Sequence, residues 1–512
     1  MKTEEEGSLT IFSALSLLLI LSFLLALLEG ARVSGLQMMD TLAADTGMDC
    51  VAAEYQTVLW DKYHLLYLDG AYGWDQFDEN KVSSRVMDYV AGNLSETGEN
   101  SVFRTKLCEA SLLEYMFATD NDGTGMLRQA SAYMKRHLPE DVAKKMYQQY
   151  QDGKKAEADG KTEYSVEDAD QAIINAKKEK EQADQNDKEG APQEEAGEKN
   201  IQDNENNHAQ DAEDGKKESP IQIVLQLKQN ALLGMTVSDM SSLSAKAVEA
   251  KDMVSNRQCE TGRYDMKKAE KMNVSDRVMV LEYIGKHFSD YTEPGKGDLT
   301  YEMEYILCGK DTDKKNLESS IERLMRMREA ANVAHIIADR EKLNQTLMIA
   351  TSLAGFSGNP AVVKIVQIGV VAAWEYVESI LDLRTLLSGG KISLIKSAAE
   401  WTTDLKKLGE IVTGEGKARE CKNGLSYQAY IKQLLFAMKQ KKMAYRMMDI
   451  MELAMQKEQN GKNARMDHMI DNMICELRFE AKPLFAKRSL YGDMEMGGYM
   501  FFKRQKLSYI NE

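Results

Sequence analysis

Hydrophobic patterning is strongest at the start of the chain. From Ser8 to Leu28 no charged side chain interrupts a run of leucine, isoleucine, phenylalanine and small residues. Such a run is long enough to cross a bilayer as one helix. Over residues 33–68 apolar side chains recur at three- and four-residue spacing, with no proline, until Asp69-Gly70 supplies a stop. Span and continuation together predict a rod of about sixty residues, roughly 90 Å long.

Downstream the pattern changes several times. Residues 101–118 (SVFRTKLCEASLLEYMFA) fit a strand or a short helix, Asp120-Asn121-Asp122-Gly123 fits a turn, and residues 129–150 fit an amphipathic helix. Residues 151–219 almost lack large apolar side chains and are rich in charge. That composition cannot bury enough surface to offset the entropy of ordering, and it predicts a disordered acidic insertion acting as a solvated linker.

After Pro220 the helical period returns, with two or three helices over 221–285. Between Leu299 and Cys308, Tyr301, Met303, Tyr305 and Leu307 alternate with Glu302 and Glu304, a period of two that predicts a strand. Residues 316–347 predict a long amphipathic helix.

Residues 361–383 are apolar enough to be weighed as a second span. Lys364, Gln367, Glu375 and Glu378 interrupt them, however, and would be stranded in hydrocarbon. They are expected to form the buried central helix of the head, with Arg384 as the candidate partner for the two glutamates. Residues 425–457 add helix, in which Met438, Met443, Met447, Met448, Met451 and Met455 form a packing stripe. The tail, 475–510, alternates in two stretches and predicts a terminal β-hairpin.

The fold class is therefore α+β, mainly α with a small β component. A long N-terminal transmembrane helix is followed by a mostly helical head. The expected segments are a hydrophilic leader (1–7), the transmembrane helix (8–29), a membrane-proximal helix with the first part of the head (30–150), the acidic insertion (151–219), the helical core (220–474) and the C-terminal hairpin (475–512).

Composition narrows the function classes. With 512 residues the chain can hold two or three domains. Six prolines against 31 methionines favour helices over a sandwich or barrel. A net charge of −16 with no basic stripe argues against nucleic acid. The six cysteines are spread so widely that no zinc spacing arises, while their even number in an exported protein permits disulfides.

No HExxH, GxSxG, GxxxxGK[ST] or GxGxxG pattern is present, and the histidines stand apart. A calcium loop at Asp120–Gly123 would place Ala118 and Gln129 at ligand positions, so the polar turn is the better reading. Glu302 and Glu304 invite an acid–base reading but fit an exposed polar strand face. No catalytic residue, metal ligand or cofactor is indicated.

Two resemblances bear on function. Gly7 followed by Ser8 resembles the processing site of type IV prepilins and of TadE/TadG-like pseudopilins, and Leu27-Leu28-Glu29-Gly30-Ala31-Arg32 is similar to the exit of TadE-like helices. Phe12 departs from the pattern, because pilins usually carry a glutamate there. By spacing alone, Glu29 and Arg32 are an interfacial ion pair one turn apart.

The combination of LTIF and LLEGAR, LEYMFATDNDG (113–123), YEMEYILCGK (301–310), AWEYVESILDLRTLLSGG (373–390) and a tyrosine-rich tail resembles an uncharacterised family. Its members are single-pass proteins of clostridia-like bacteria with a domain of unknown function, often encoded among tight-adherence pilus genes.

These resemblances imply a non-enzymatic envelope protein, held in the cell membrane with its C-terminal bulk extracytoplasmic. It would act as a minor pseudopilin or accessory component of a tight-adherence-type pilus. Its partners would be membrane lipid and other pilin-like or pilus-assembly membrane proteins, met through Ser13, Ala14, Ser16, Ser22 and Ala26. The alternatives are a membrane-tethered hydrolase with a site assembled from distant residues, and an adaptor or sensor whose acidic insert binds a cationic partner.

Overall fold

A single helix of 51 residues, α1 (Lys2–Ala52), opens the computed structural model. The structure describes residues 2–95, 102–139, 144–151, 165–189, 219–264, 272–409, 416–458, 461–484, 494–495 and 498–509. After α1 come α2 (Thr57–Tyr63), β1 (Leu68–Asp69), α3 (Glu79–Ser95), β2 (Lys106–Phe117) and α4 (Thr124–His137). Next are α5 (Val166–Glu189), α6 (Pro220–Leu227), α7 (Leu232–Thr236), α8 (Val274–His287), α9 (Glu302–Cys308) and α10 (Asp313–Ala338). The chain closes with α11 (Arg340–Ala354), α12 (Pro360–Leu387), α13 (Tyr427–Phe436), α14 (Gln440–Gln456), β3 (Met469–Ala481), β4 (Met494–Glu495) and β5 (Gly498–Ser508). The architecture is mainly α with one small sheet.

Two units divide the chain. The first comprises residues 1–139, 249–283 and 439–512; the second comprises 140–248 and 284–438.

In the first unit the sheet is built on β3, which pairs antiparallel with β2 along one side and with β1 and β5 along the other. The expected C-terminal hairpin is thus part of a larger sheet, and residues near 105 supply a full strand. Val33, Leu36, Ala43, Ala44 and Met48 of α1, with Val82, Val86 and Val90 of α3, cover Leu112, Phe117, Met473, Leu477 and Phe479 of the sheet. Gly47 permits the helices to meet, since a Cβ there would lie 2.4 Å from Val90 Cγ2.

The rod is shorter than its pattern predicts. It ends at Ala52, Gln56 caps α2 by accepting from Val58 N–H, and Tyr55 bridges back to Leu68. The methionines of α14 (Met443, Met447, Met448, Met451 and Met455) are buried, as a packing stripe requires.

The second unit is organised around α12, which is buried along most of its length from Val366 to Leu387. Asn359 accepts from Ala361 N–H and Pro360 occupies the first turn, a start signal readable in the sequence.

Two expectations are corrected here. Residues 166–189, inside the stretch expected to be disordered, form α5; its Val166, Ala169, Ile173 and Ala176 recur at helical spacing and are buried. Ala169 rests on Gly369 of α12, where a Cβ would lie 2.1 Å from the alanine's own. The rest of the acidic stretch, 152–164 and 190–218, lies outside the described residues. Second, the predicted strand at 299–308 is helix α9, buried from Met303 to Cys308. Burial on every side erases the distinction that alternation relies on.

Candidate functional site

The first half of α1 is bare. Leu9, Phe12 and Leu19 are 68%, 70% and 70% exposed, and apart from half-buried Leu25 the other large side chains from Ile11 to Leu28 are exposed too. Gly7 and Ser8 fall in the opening turns of this helix. Ser13, Ala14 and Ser22 are exposed, and Ser16 and Ala26 are half-buried. They do not form one seam, because an α-helix turns about 100° per residue and sets Ser13 and Ser22 on opposite faces. The hydroxyl of Ser22 donates to Leu19 O at 2.8 Å, within the helix.

Glu29 and Arg32 mark where α1 changes environment. Their ion pair, at 2.8 Å, is almost fully buried rather than interfacial. Arg32 Nε donates to Val102 O at 2.7 Å and Nη2 to Lys482 O at 2.8 Å, while Leu484 N–H donates to Glu29 Oε1 at 3.3 Å. Two distant chain segments are clamped there through their backbones.

The interrupting polar residues of α12 each find a partner inside the second unit. Gln367 donates to Leu343 O at 3.2 Å and accepts from Lys364 Nζ at 3.0 Å. Glu378 pairs with Lys396, and its other oxygen accepts from Thr403 N–H at 2.9 Å. Lys396 also meets Asp382 at 2.5 Å, and Asp382 meets Arg328 at 2.9 Å. All four side chains are fully buried, two cations against two anions.

Arg384 is not the partner expected; it donates to Met235 O at 2.7 Å. Glu375 accepts from Ser379 Oγ at 3.4 Å, and burial holds its carboxyl well above the usual carboxylate range. This set neutralises itself, which is the signature of a structural network.

The second unit also holds a cleft of about 630 Å³. Its walls come from three segments: the turns after α7 (Ser242, Ser244), the connection into α9 (Tyr291, Thr292, Thr300, Tyr301) and the end of α12 (Ser388, Gly389). Gly389 adopts a φ of +87°, which lets the chain turn back at the helix end. Tyr291 and Tyr301 meet edge to face, with centroids 5.5 Å apart.

Buried carboxylates hold the cleft floor. Asp313 accepts from Ser244 Oγ at 2.6 Å and from Thr300 N–H at 2.9 Å; Asp290 accepts from Thr292 Oγ1 at 2.6 Å and from Gln428 Nε2 at 3.1 Å. Burial raises the phenols of Tyr291 and Tyr301, so both stay neutral. Glu304, taken from sequence as exposed, is fully buried, accepting from Tyr427 Oη at 2.7 Å and from Tyr291 N–H at 2.9 Å. Burial, with Asp290 nearby, pushes it up to about 8. Glu302 accepts from Ser289 N–H at 2.9 Å. Neither glutamate lines the cleft, so an acid–base pair facing a substrate is not formed.

No disulfide forms among the six cysteines. The Asp120 turn is polar, as expected: Asp120 Oδ2 accepts from Phe117 N–H at 2.8 Å and from Gly262 N–H at 3.0 Å.

The cleft and Lys396 were not read from the sequence. Their only signals are serine- and threonine-rich turns (SDMSSLSAK and SDYTEPGKGDLTY) and one lysine within KISLIKSAAEW.

The chain belongs to DUF5702, a family of unknown function, whose model matches residues 210–481. That stretch runs from before α6 to the end of β3 and leaves α1 outside it. No curated protein and no solved structure matches the chain.

Proposed function

We propose that this chain is a non-enzymatic, single-pass membrane protein of the cell envelope with its C-terminal bulk outside the cytoplasm. In this reading it is a minor pseudopilin or accessory component of a tight-adherence-type pilus. One observation carries the membrane part: α1 is continuous, yet bare and apolar before Glu29 and packed into a core after it. Near the centre of a span, each Leu, Ile or Phe favours insertion by about 0.3–0.6 kcal/mol. The bare half is therefore stable in lipid and costly in water, while the packed half fixes the head to it without a flexible joint.

The pilus part rests on the likeness of Gly7-Ser8 and of the LLEGAR exit to pseudopilins. In that setting α1 meets lipid and the membrane helices of other pilin-like proteins. Ser22 and Ala26 share one face for such a contact, and Ser13 and Ser16 share another.

Intact mass and N-terminal sequencing of the chain extracted from its native membrane test this reading. A chain beginning at Ser8 is the expected result and means prepilin-type processing. A chain recovered from the membrane fraction with its leader intact leaves a plain anchor and removes the pilus assignment. Recovery from the soluble fraction removes both.

A further inference from the structure

The serine and threonine hydroxyls lining the cleft of the second unit direct their protons into the protein. Ser242 Oγ donates to Asp239 O at 2.9 Å, and Ser388 Oγ to Thr385 O at 3.0 Å. Thr292 Oγ1 donates to Asp290 at 2.6 Å, and Ser244 Oγ to Asp313 at 2.6 Å. With the Ser244 proton committed, Thr300 Oγ1 is the donor in its 3.0 Å bond to Ser244 Oγ. A hydroxyl has one proton and two lone pairs, so these groups meet a ligand as acceptors. Ser244 already receives Thr300 and, at 3.3 Å, Lys246 N–H. Ser242, Thr292, Thr300 and Ser388 remain as the acceptor set.

The electrostatics have the same sign. Asp290 and Asp313 are fully buried behind these hydroxyls, and Asp239 is close enough to Tyr291 to act on its phenol. Among the described residues, no cationic side chain lines the cleft. Lys246 directs its ammonium to Gly297 O at 2.8 Å. The two tyrosine rings add faces of negative quadrupole. An anionic ligand would meet lone pairs and carboxylates. A neutral one would satisfy the acceptors but gain nothing from the field.

We propose that this cleft binds a protonated organic amine, with the ammonium among the oxygens of Ser242, Thr292, Thr300 and Ser388 and the frame against Tyr291. The cleft's volume falls in the range that encloses small organic ligands, so the amine is carried on a frame larger than the charged group itself. This inference is independent of the pilus reading: the cleft lies within the second unit, and its occupancy does not depend on how the leader is processed.

Calorimetry on the full chain in detergent, at mildly acidic pH and physiological ionic strength, tests it with two probes: a disaccharide of glucosamine and its neutral isostere, cellobiose. The amine is expected to bind once per chain and at least about tenfold more tightly than cellobiose, the ratio that one desolvated charge interaction supplies. Tyr291→Ala should weaken the amine by roughly 3- to 30-fold, and Tyr291→Phe, which keeps the ring face, should restore it. Ser388→Ala, at an exposed helix end, removes one acceptor with little risk to folding, and it too should weaken the amine.

Equal affinity for both probes overturns the amine assignment and leaves a neutral-sugar site. Amine binding that is unchanged in Tyr291→Ala and Ser388→Ala places the charge elsewhere on this acidic surface and overturns the site. Absence of binding by either probe overturns the proposal as well.

Discussion

Among the described residues, α1 and α12 are the two helices long and apolar enough to cross a membrane, and the chain exposes the apolar stretch of one and buries that of the other. In the most apolar stretch of α1 no residue is buried; in that of α12, 61% of residues are. The difference lies in the few polar positions. Between Ser8 and Leu28 there is no ionisable side chain, so nothing in that half asks for a protein partner. Helix α12 carries Glu378 and Asp382, and the fold around it supplies Lys396, Arg328 and backbone N–H groups to receive them. An apolar helix is assigned to lipid or to core by what its polar minority requires.

The largest test of that contrast removes a partner from α12. Lys396→Met leaves Glu378 without its cation and deprives Asp382 of one of two, all in full burial. Breaking a buried pair from one side costs about 3–5 kcal/mol, which should appear as a large drop in the urea midpoint of the detergent-solubilised chain. Adding Glu378→Gln removes the orphaned charge and should recover part of the loss. A single variant within about 1 kcal/mol of the parent would mean that the pairing does not hold α12 in place.

The next test inverts the chemistry in α1. An arginine near the middle of a span costs about 2.5–3.5 kcal/mol of insertion. Leu19→Arg is therefore expected to move the chain from the carbonate-resistant membrane fraction toward the soluble one. It should leave the unfolding midpoint of the head unchanged, because Leu19 makes no core contact. Should Leu19→Arg destabilise the head while membrane retention stays the same, the bare half would be packing on protein, and the comparison with α12 would collapse.

What the sequence disclosed follows the same division. The long apolar helix at the N-terminus, the methionine stripe of α14 and the terminal strands were legible from the local pattern of apolar residues, and the burial of α12 from the charges that interrupt its apolar run. The helix at 166–189 was hidden by its composition: four small or medium apolar residues suffice when one of them meets a glycine, and charged neighbours such as Asp168, Lys177 and Glu181 face water.

Helix α9 was misread because alternation means a strand only when one face is solvated, and Glu304 is buried by a tyrosine 123 residues away. The cleft was illegible for a related reason. Its hydroxyls come from segments far apart in the chain, and their acceptor character depends on where Asp290 and Asp313 end up. Lys396 was missed as the partner of Glu378 because charge pairing across a core leaves no periodic trace, whereas Glu29 and Arg32, one turn apart, could be paired from spacing alone.

The smallest effect concerns a trait that the packed half of α1 shares with α12 and the bare half lacks: a buried carboxyl that holds its proton to higher pH than usual. Burial pushes Asp40 of α1 from 3.8 up to about 6, and it holds Glu375 of α12 well above 4.5. In each case the folded chain retains a proton that the unfolded chain has released. The contribution of each group to stability is therefore greatest below the ordinary carboxylate range and declines as pH rises toward the folded value, by at most about 1.4 kcal/mol per pH unit.

For Asp40 the decline runs between 3.8 and about 6 and is complete above that. For Glu375 it begins near 4.5 and continues to a folded value well above that. Asp40→Asn should flatten the stability–pH curve only in the lower window, and Glu375→Gln should flatten it through the upper one as well. Urea midpoints across that range distinguish the two windows. A slope untouched by Asp40→Asn would mean that the α1 carboxyl is already ionised in the fold. The two helices would then differ in how they bury charge as well as in what they face.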